Sequence, residues 1–143
     1  MTDPFAKKEL FRFEGPVVPG DGRGRRMGFP TLNVATDVSG VKPGVYAGYL
    51  AYDALRGLHG GLQNASQDFP ALIHVGPRPT VGDSKSRLEV YLLSFPDGAV
   101  FDRIEVYGVG FIRGIFKFDS VDALSLRLQR DKVVANERFF SSG

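Results

Sequence analysis

The feature that most constrains how this chain can fold is its punctuation. Eighteen glycines and nine prolines in 143 residues break the sequence into runs that are short, β-branched and aromatic. Glycine and proline interrupt helices and make turns, so runs of this kind read as many short strands. The spacing predicts strands at about Phe11 to Val17, Asn33 to Ala35, Gly44 to Tyr52, Phe69 to Val75, Leu88 to Phe95 and Ile104 to Phe111. Ile104 to Phe111 alternates imperfectly between apolar and other residues, as a strand with one buried face does. Six strands suffice to close a small barrel. The expectation is all-β: a six-stranded closed antiparallel barrel of Greek-key type. Arg56 to Asp68, rich in Gly, Gln, Asn and Ser, reads as an exposed hairpin loop.

The C-terminal segment has a different period. Leu124, Leu128, Ala135 and Phe139 recur at spacings of four, seven and four residues, one face of a helix. Ser120 is placed to cap it, with Asp122 in the first turn. One amphipathic α-helix packed on the barrel is therefore expected, within a single domain spanning residues 1–143.

Composition removes several function classes. At 43% hydrophobic and 24% charged residues the chain is neither disordered nor membrane-embedded. It has no cysteine, which excludes disulfides, thiolate zinc sites and cysteine nucleophiles; a metal must use oxygen or one of two histidines. His59 and His74 are too isolated in sequence to form a metal pair and read as bystanders. The first ten residues hold no apolar run of signal-peptide length, and no stretch could span a bilayer, so a cytoplasmic protein without a membrane partner is expected. A net charge of +2 gives little reason to expect a nucleic-acid partner. A monomer is expected.

The richest stretch for chemistry runs from Gly20 to Asn33. Gly20, Gly22, Gly24 and Gly28 let the backbone turn sharply and bring its amides near an anion, and Arg23, Arg25 and Arg26 add positive charge. The same composition also fits a solvated loop, since it lacks Gly-Lys-Ser/Thr and misses the dinucleotide glycine spacing. Pro30 stiffens the exit, after which Thr31 and Asn33 point to one side of an extended segment. Their hydroxyl and amide oxygens are hard donors suited to Mg²⁺, which keeps much of its shell as phosphate and water. Bonding of both to nearby backbone is the plainer alternative.

Gly28-Phe29-Pro30-Thr31-Leu32-Asn33, following a glycine-arginine loop, resembles the signature of the riboflavin kinase family. Further segments match in order: Pro43 to Ala47, Val75 to Thr80, Arg87 to Leu93, Phe111 to Arg113, Lys117 to Ser120 and Leu128 to Asp131. The resemblance covers roughly Phe11 to Ala135. It implies transfer of the γ-phosphoryl group of ATP to the ribityl hydroxyl of riboflavin, with riboflavin and ATP as small-molecule partners and Mg²⁺ as cofactor. It implies that Thr31 and Asn33 hold the metal, and that the loop through Gly22, Arg23, Gly24, Arg25, Gly28 and Pro30 closes over the nucleotide phosphates. Glu89 falls at the position of the family's catalytic glutamate; without the resemblance it reads equally as an outward-facing strand residue. Arg113, Phe116, Phe118 and Asp131 fall on the substrate side, where Arg113 also fits a structural ion pair and the two phenylalanines fit a core. The motifs present are those of the kinase alone, which implies FMN and not FAD as product.

The match thins on the flavin side. His74 replaces a usual asparagine, Ser94 an aspartate, Ala99-Val100-Phe101 a Leu-Tyr-Gly, and Ile115 stands where the family carries an acid. A catalytically weakened paralogue that senses a flavin or nucleotide keeps the fold and drops the chemistry. A nucleic-acid-binding barrel using Arg23, Arg25 and Arg26 is the third reading.

Overall fold

The computed structural model of the protein describes residues 8–18, 31–51, 68–78, 83–93 and 102–140. Six strands lie among them: β1 (Phe11–Val18), β2 (Thr31–Val34), β3 (Gly44–Leu50), β4 (Phe69–Arg78), β5 (Asp83–Leu92) and β6 (Arg103–Arg113). They close into a barrel in the order β1-β2-β5-β4-β3-β6, every neighbouring pair antiparallel. β3, β4 and β5 form a meander, and β2 lies beside β5 instead of β3, the Greek-key displacement. The expected barrel is thus found, with strand boundaries shifted by a few residues. The hairpin expected from Arg56 to Asp68 lies outside the described residues except for Asp68.

Alternation decides which side chains enter the barrel. Ala71, Ile73 and Val75 of β4, Leu88, Val90 and Leu92 of β5, and Ile104 and Val106 of β6 fill the interior with Val34, Tyr46 and Leu50. Full burial of one such aliphatic side chain stabilises the fold by roughly 1.5–3 kcal/mol relative to exposure. The intervening residues face outward, and a second apolar layer covers part of them: Val45, Ala47, Leu72 and Tyr91 pack with Leu128 and Ala135 of the helix. β3 is consequently buried on both faces, which is why Gly-Val-Tyr-Ala-Gly-Tyr-Leu carries no polar alternation.

The covering helix, α1 (Val121–Ala135), starts where the sequence placed it. Ser120 is extended at φ −154°, ψ 165°, and its Oγ accepts a hydrogen bond from the Ala123 amide at 3.0 Å. Leu124, Leu128 and Ala135 do fall on the packed face, but Phe139 belongs to a π-helical turn, Asn136–Phe140, that follows α1. Its ring lies so close to β6 that a Cβ at Gly110 would collide with it. Lower on the same outer face Tyr49 and Tyr107 stack at 5.4 Å, with Phe140 edge-on to Tyr49 at 5.2 Å.

Candidate active site

The outward-facing positions of five adjacent strands line up in register. Asn33 of β2 pairs with Glu89 of β5, Glu89 with His74 of β4, His74 with Val45 of β3, and Val45 with Arg113 of β6. Neighbouring strands sit about 4.8 Å apart, so four polar side chains distant in sequence form one row across the barrel wall. Thr31 stands two residues from Asn33 on the same face of β2 and pairs with Tyr91. Leu32 packs against the interior, and Val34 belongs to it. Thr31 and Asn33 therefore project together, as the sequence predicted.

Glu89 is 2% exposed, a carboxylate buried beside the helix-covered layer. Tyr91, two residues along the same face, donates its hydroxyl hydrogen to Glu89 Oε2 at 3.0 Å. That bond fixes the orientation of the carboxylate, and Tyr91 is a site residue that sequence reasoning passed over. Its signal was present: a hydroxyl at i+2 from an acid on a strand shares the acid's face.

His74, isolated in sequence from any other histidine, pairs with Glu89 across β4 and β5. Its Nε2 is 2.8 Å from the Pro77 carbonyl oxygen and 3.2 Å from that of Gly76. Burial lowers the imidazole pKa below its usual value; the Glu89 charge opposes this and the Arg113 charge adds to it.

At the far end of the row Arg113, 6% exposed, donates from Nε to Asp131 Oδ2 at 2.8 Å and from Nη1 to the Gly114 carbonyl at 3.1 Å. Asp131, 1% exposed in the middle of α1, accepts with its other oxygen, Oδ1, from Arg127 Nε at 3.2 Å. Both carboxylate oxygens are thus committed to arginines. The Arg113 guanidinium carbon sits 5.9 Å from the Phe116 ring centroid and 5.4 Å from that of Phe118, and the two rings meet edge to face at 6.5 Å. Phe116 is 51% exposed, so this pair is not core.

The structure brings together Thr31, Asn33 and Glu89 at one end of the row, and Arg113, Phe116, Phe118 and Asp131 at the other. Gly22, Arg23, Gly24, Arg25, Gly28 and Pro30 lie outside the described residues, as do Arg26, Ser94 and Ala99 to Phe101. Among the described residues there is no cluster of three or more His, Asp or Glu able to cage a metal. Two neutral oxygen donors beside one carboxylate fit a small hard cation that takes most of its shell from phosphate and water.

Among the described residues of this closed antiparallel barrel, the ionisable groups Glu89, His74 and Arg113 gather on the outer wall, which makes that wall the candidate site. Comparison with known proteins gives the family. The sequence matches the profile of the riboflavin kinase (flavokinase) family over residues 7–139, and the chain belongs to that family. It is 36% identical over 131 residues to the bifunctional riboflavin kinase/FMN adenylyltransferase of Escherichia coli K12, covering 90% of this chain and 38% of that protein. It is 33% identical over 127 residues to the RNA-binding riboflavin kinase RibR of Bacillus subtilis, covering 87% of this chain and 50% of that one. The chain thus spans half or less of these relatives. Among solved structures, one described as a macrolide-efflux protein from Streptococcus pneumoniae superposes with a TM-score of 0.63 at 30% identity, covering 86% of this chain and 37% of that chain. No helix among the described residues is long and apolar enough to cross a membrane.

Proposed function

We propose that this protein transfers the γ-phosphoryl group of ATP to the ribityl 5′-hydroxyl of riboflavin, giving FMN and ADP. The observation that carries the reading is the pairing of Asn33 with Glu89, which sets a hard oxygen donor beside a buried, oriented carboxylate. Family membership supports the same reaction. Phosphoryl transfer asks a protein mainly for positioning, charge neutralisation and a group to orient or deprotonate the nucleophile.

In this reading Glu89, held by Tyr91, accepts the hydroxyl proton as the new P–O bond forms and the bond to the ADP oxygen breaks. Thr31 and Asn33 would hold Mg²⁺, which would neutralise phosphate charge. Gly22, Arg23, Gly24, Arg25, Gly28 and Pro30 cover the phosphates. Phe116 and Phe118 offer faces to an isoalloxazine ring, and Arg113 offers its guanidinium edge to the same substrate. Asp131 acts through Arg113, because both of its oxygens are occupied. The reading includes a cytoplasmic monomer that acts on small molecules and needs no nucleic acid.

Purified protein incubated with riboflavin, ATP and Mg²⁺, and analysed by chromatography with fluorescence detection, should accumulate FMN only when all three are present. Asn33→Ala should raise the Mg²⁺ concentration needed for half-maximal rate. Tight flavin binding without FMN would replace the enzyme by a sensor.

A further inference from the structure

His74 has one ring nitrogen engaged and one that makes no hydrogen bond among the described residues. Both partners of Nε2 are backbone carbonyl oxygens, which only accept, so Nε2 carries the hydrogen. Because burial keeps the ring neutral near pH 7, the tautomer is fixed and Nδ1 holds a free lone pair. The backbone that anchors the ring requires glycine. Gly76 adopts φ +127°, a conformation that disfavours any side chain, and a Cβ there would stand 2.9 Å from Pro43. His74 retains partial exposure and occupies the strand next to Glu89. An amide at this position could turn to donate or accept; the tethered imidazole can only accept.

We propose that His74 is a specificity-determining residue of the acceptor site: its Nδ1 accepts a hydrogen bond from a polyol hydroxyl of the substrate whose terminal hydroxyl meets Glu89. This rests on the riboflavin kinase reading. One strand spacing, about 4.8 Å, separates the two side chains along the wall. That is close to the distance between hydroxyls two carbons apart on an extended chain. The site would thereby distinguish a polyhydroxyl chain from an alkyl one, a selection that an apolar wall makes poorly and a hydrogen-bonding one makes well.

The test begins with the unmodified protein. With two histidines in the chain, ¹⁵N-histidine labelling resolves His74, and its Nδ1 resonance should move when riboflavin is added but not with lumiflavin, which lacks the polyol. An unmoved resonance overturns the proposal, and an equal response to lumiflavin moves the contact to the flavin ring and overturns it too. In turnover, His74→Phe should raise the riboflavin KM about three- to tenfold, the value of one neutral hydrogen bond, while the ATP KM and kcat stay within about twofold. His74→Gln, which can donate to the carbonyls and still accept, should restore the KM. A kcat loss without a KM change, or no rescue by Gln, assigns His74 a structural role only. If the unmodified protein makes no FMN, the functional reading fails; the labelled-histidine titration still decides whether His74 binds the polyol.

Discussion

The two faces of the same strands do different work. Along β5, Leu88, Val90 and Leu92 point into the barrel and Glu89 and Tyr91 point out; along β4, Ile73 and Val75 point in and His74 points out. Among the described residues the interior cluster is aliphatic and aromatic, and its one hydroxyl, that of Tyr46, donates to the Lys42 carbonyl. The outer row holds a carboxylate, an imidazole and a guanidinium that burial would penalise without partners. A period of two lets a six-stranded wall carry the core on one face and the candidate site on the other. If that division is real, substitutions one residue apart should separate stability from activity.

The largest separation is expected at Glu89. Glu89→Gln keeps the shape and the Tyr91 hydroxyl bond but removes the base, so kcat should fall on the order of 10²–10⁴-fold while the melting temperature stays near that of the parent. Steady-state FMN formation and calorimetry on the same preparation check it, and near-normal turnover would remove Glu89 from the chemistry. The next largest falls where the helix meets the outer face. Asp131→Ala leaves the buried Arg113 charge without its carboxylate and should cost about 3–5 kcal/mol in denaturant unfolding. The riboflavin KM should rise as well, because Arg113 loses the bond that aims it. Arg127→Ala, which removes the more exposed partner of the same carboxylate, should cost under about 1 kcal/mol.

On the interior side, Ile73→Ala opens a cavity in a fully buried layer and should cost about 3 kcal/mol. The kcat of the remaining folded protein should be close to normal. A kcat loss comparable to that of Glu89→Gln would show that the wall does not insulate the two faces.

How much of this was legible in the sequence follows the same division. The interior was readable because alternation is local: Leu88-Glu89-Val90-Tyr91 announces a strand without reference to any partner. The boundaries failed where alternation stops carrying information. β4 was expected to end at Val75 because Gly76-Pro77 reads as a turn, yet pairing continues to Arg78 with a register shift. β5 begins at Asp83, in a polar run without apolar spacing, and ends at Leu92 instead of Phe95. β2 sits at Thr31–Val34 instead of Asn33 to Ala35, since four residues are too few for a pattern to position. The polar row was not legible at all by pattern. That His74 neighbours Glu89, and that Arg113 lies two strands further on, depends on the register of three strand pairs. The resemblance to the family named Glu89 and Arg113 without saying that they share a wall. The resemblance alone put Asp131 on the substrate side, and its burial depends on where Arg113 arrives from β6.

The smallest expected effect tests whether the helix acts as a rigid cover or as a hinged one. Ser120→Ala removes the oxygen that accepts from the Ala123 amide and leaves a first-turn donor unsatisfied, which should cost about 1 kcal/mol. Ser120→Asp should recover the loss, since a carboxylate caps the same amide and favours the helix N-terminus. Asp131 lies about three turns further along, where Leu128 and Ala135 pin α1 to the barrel. Fraying at the cap should therefore not reach the Arg113 pair, and kcat and the riboflavin KM of Ser120→Ala should match the parent at 25 °C. A shift in the riboflavin KM larger than the stability loss explains would mean that the first turn, and with it the segment carrying Phe116 and Phe118, moves as one piece with the substrate side of the site.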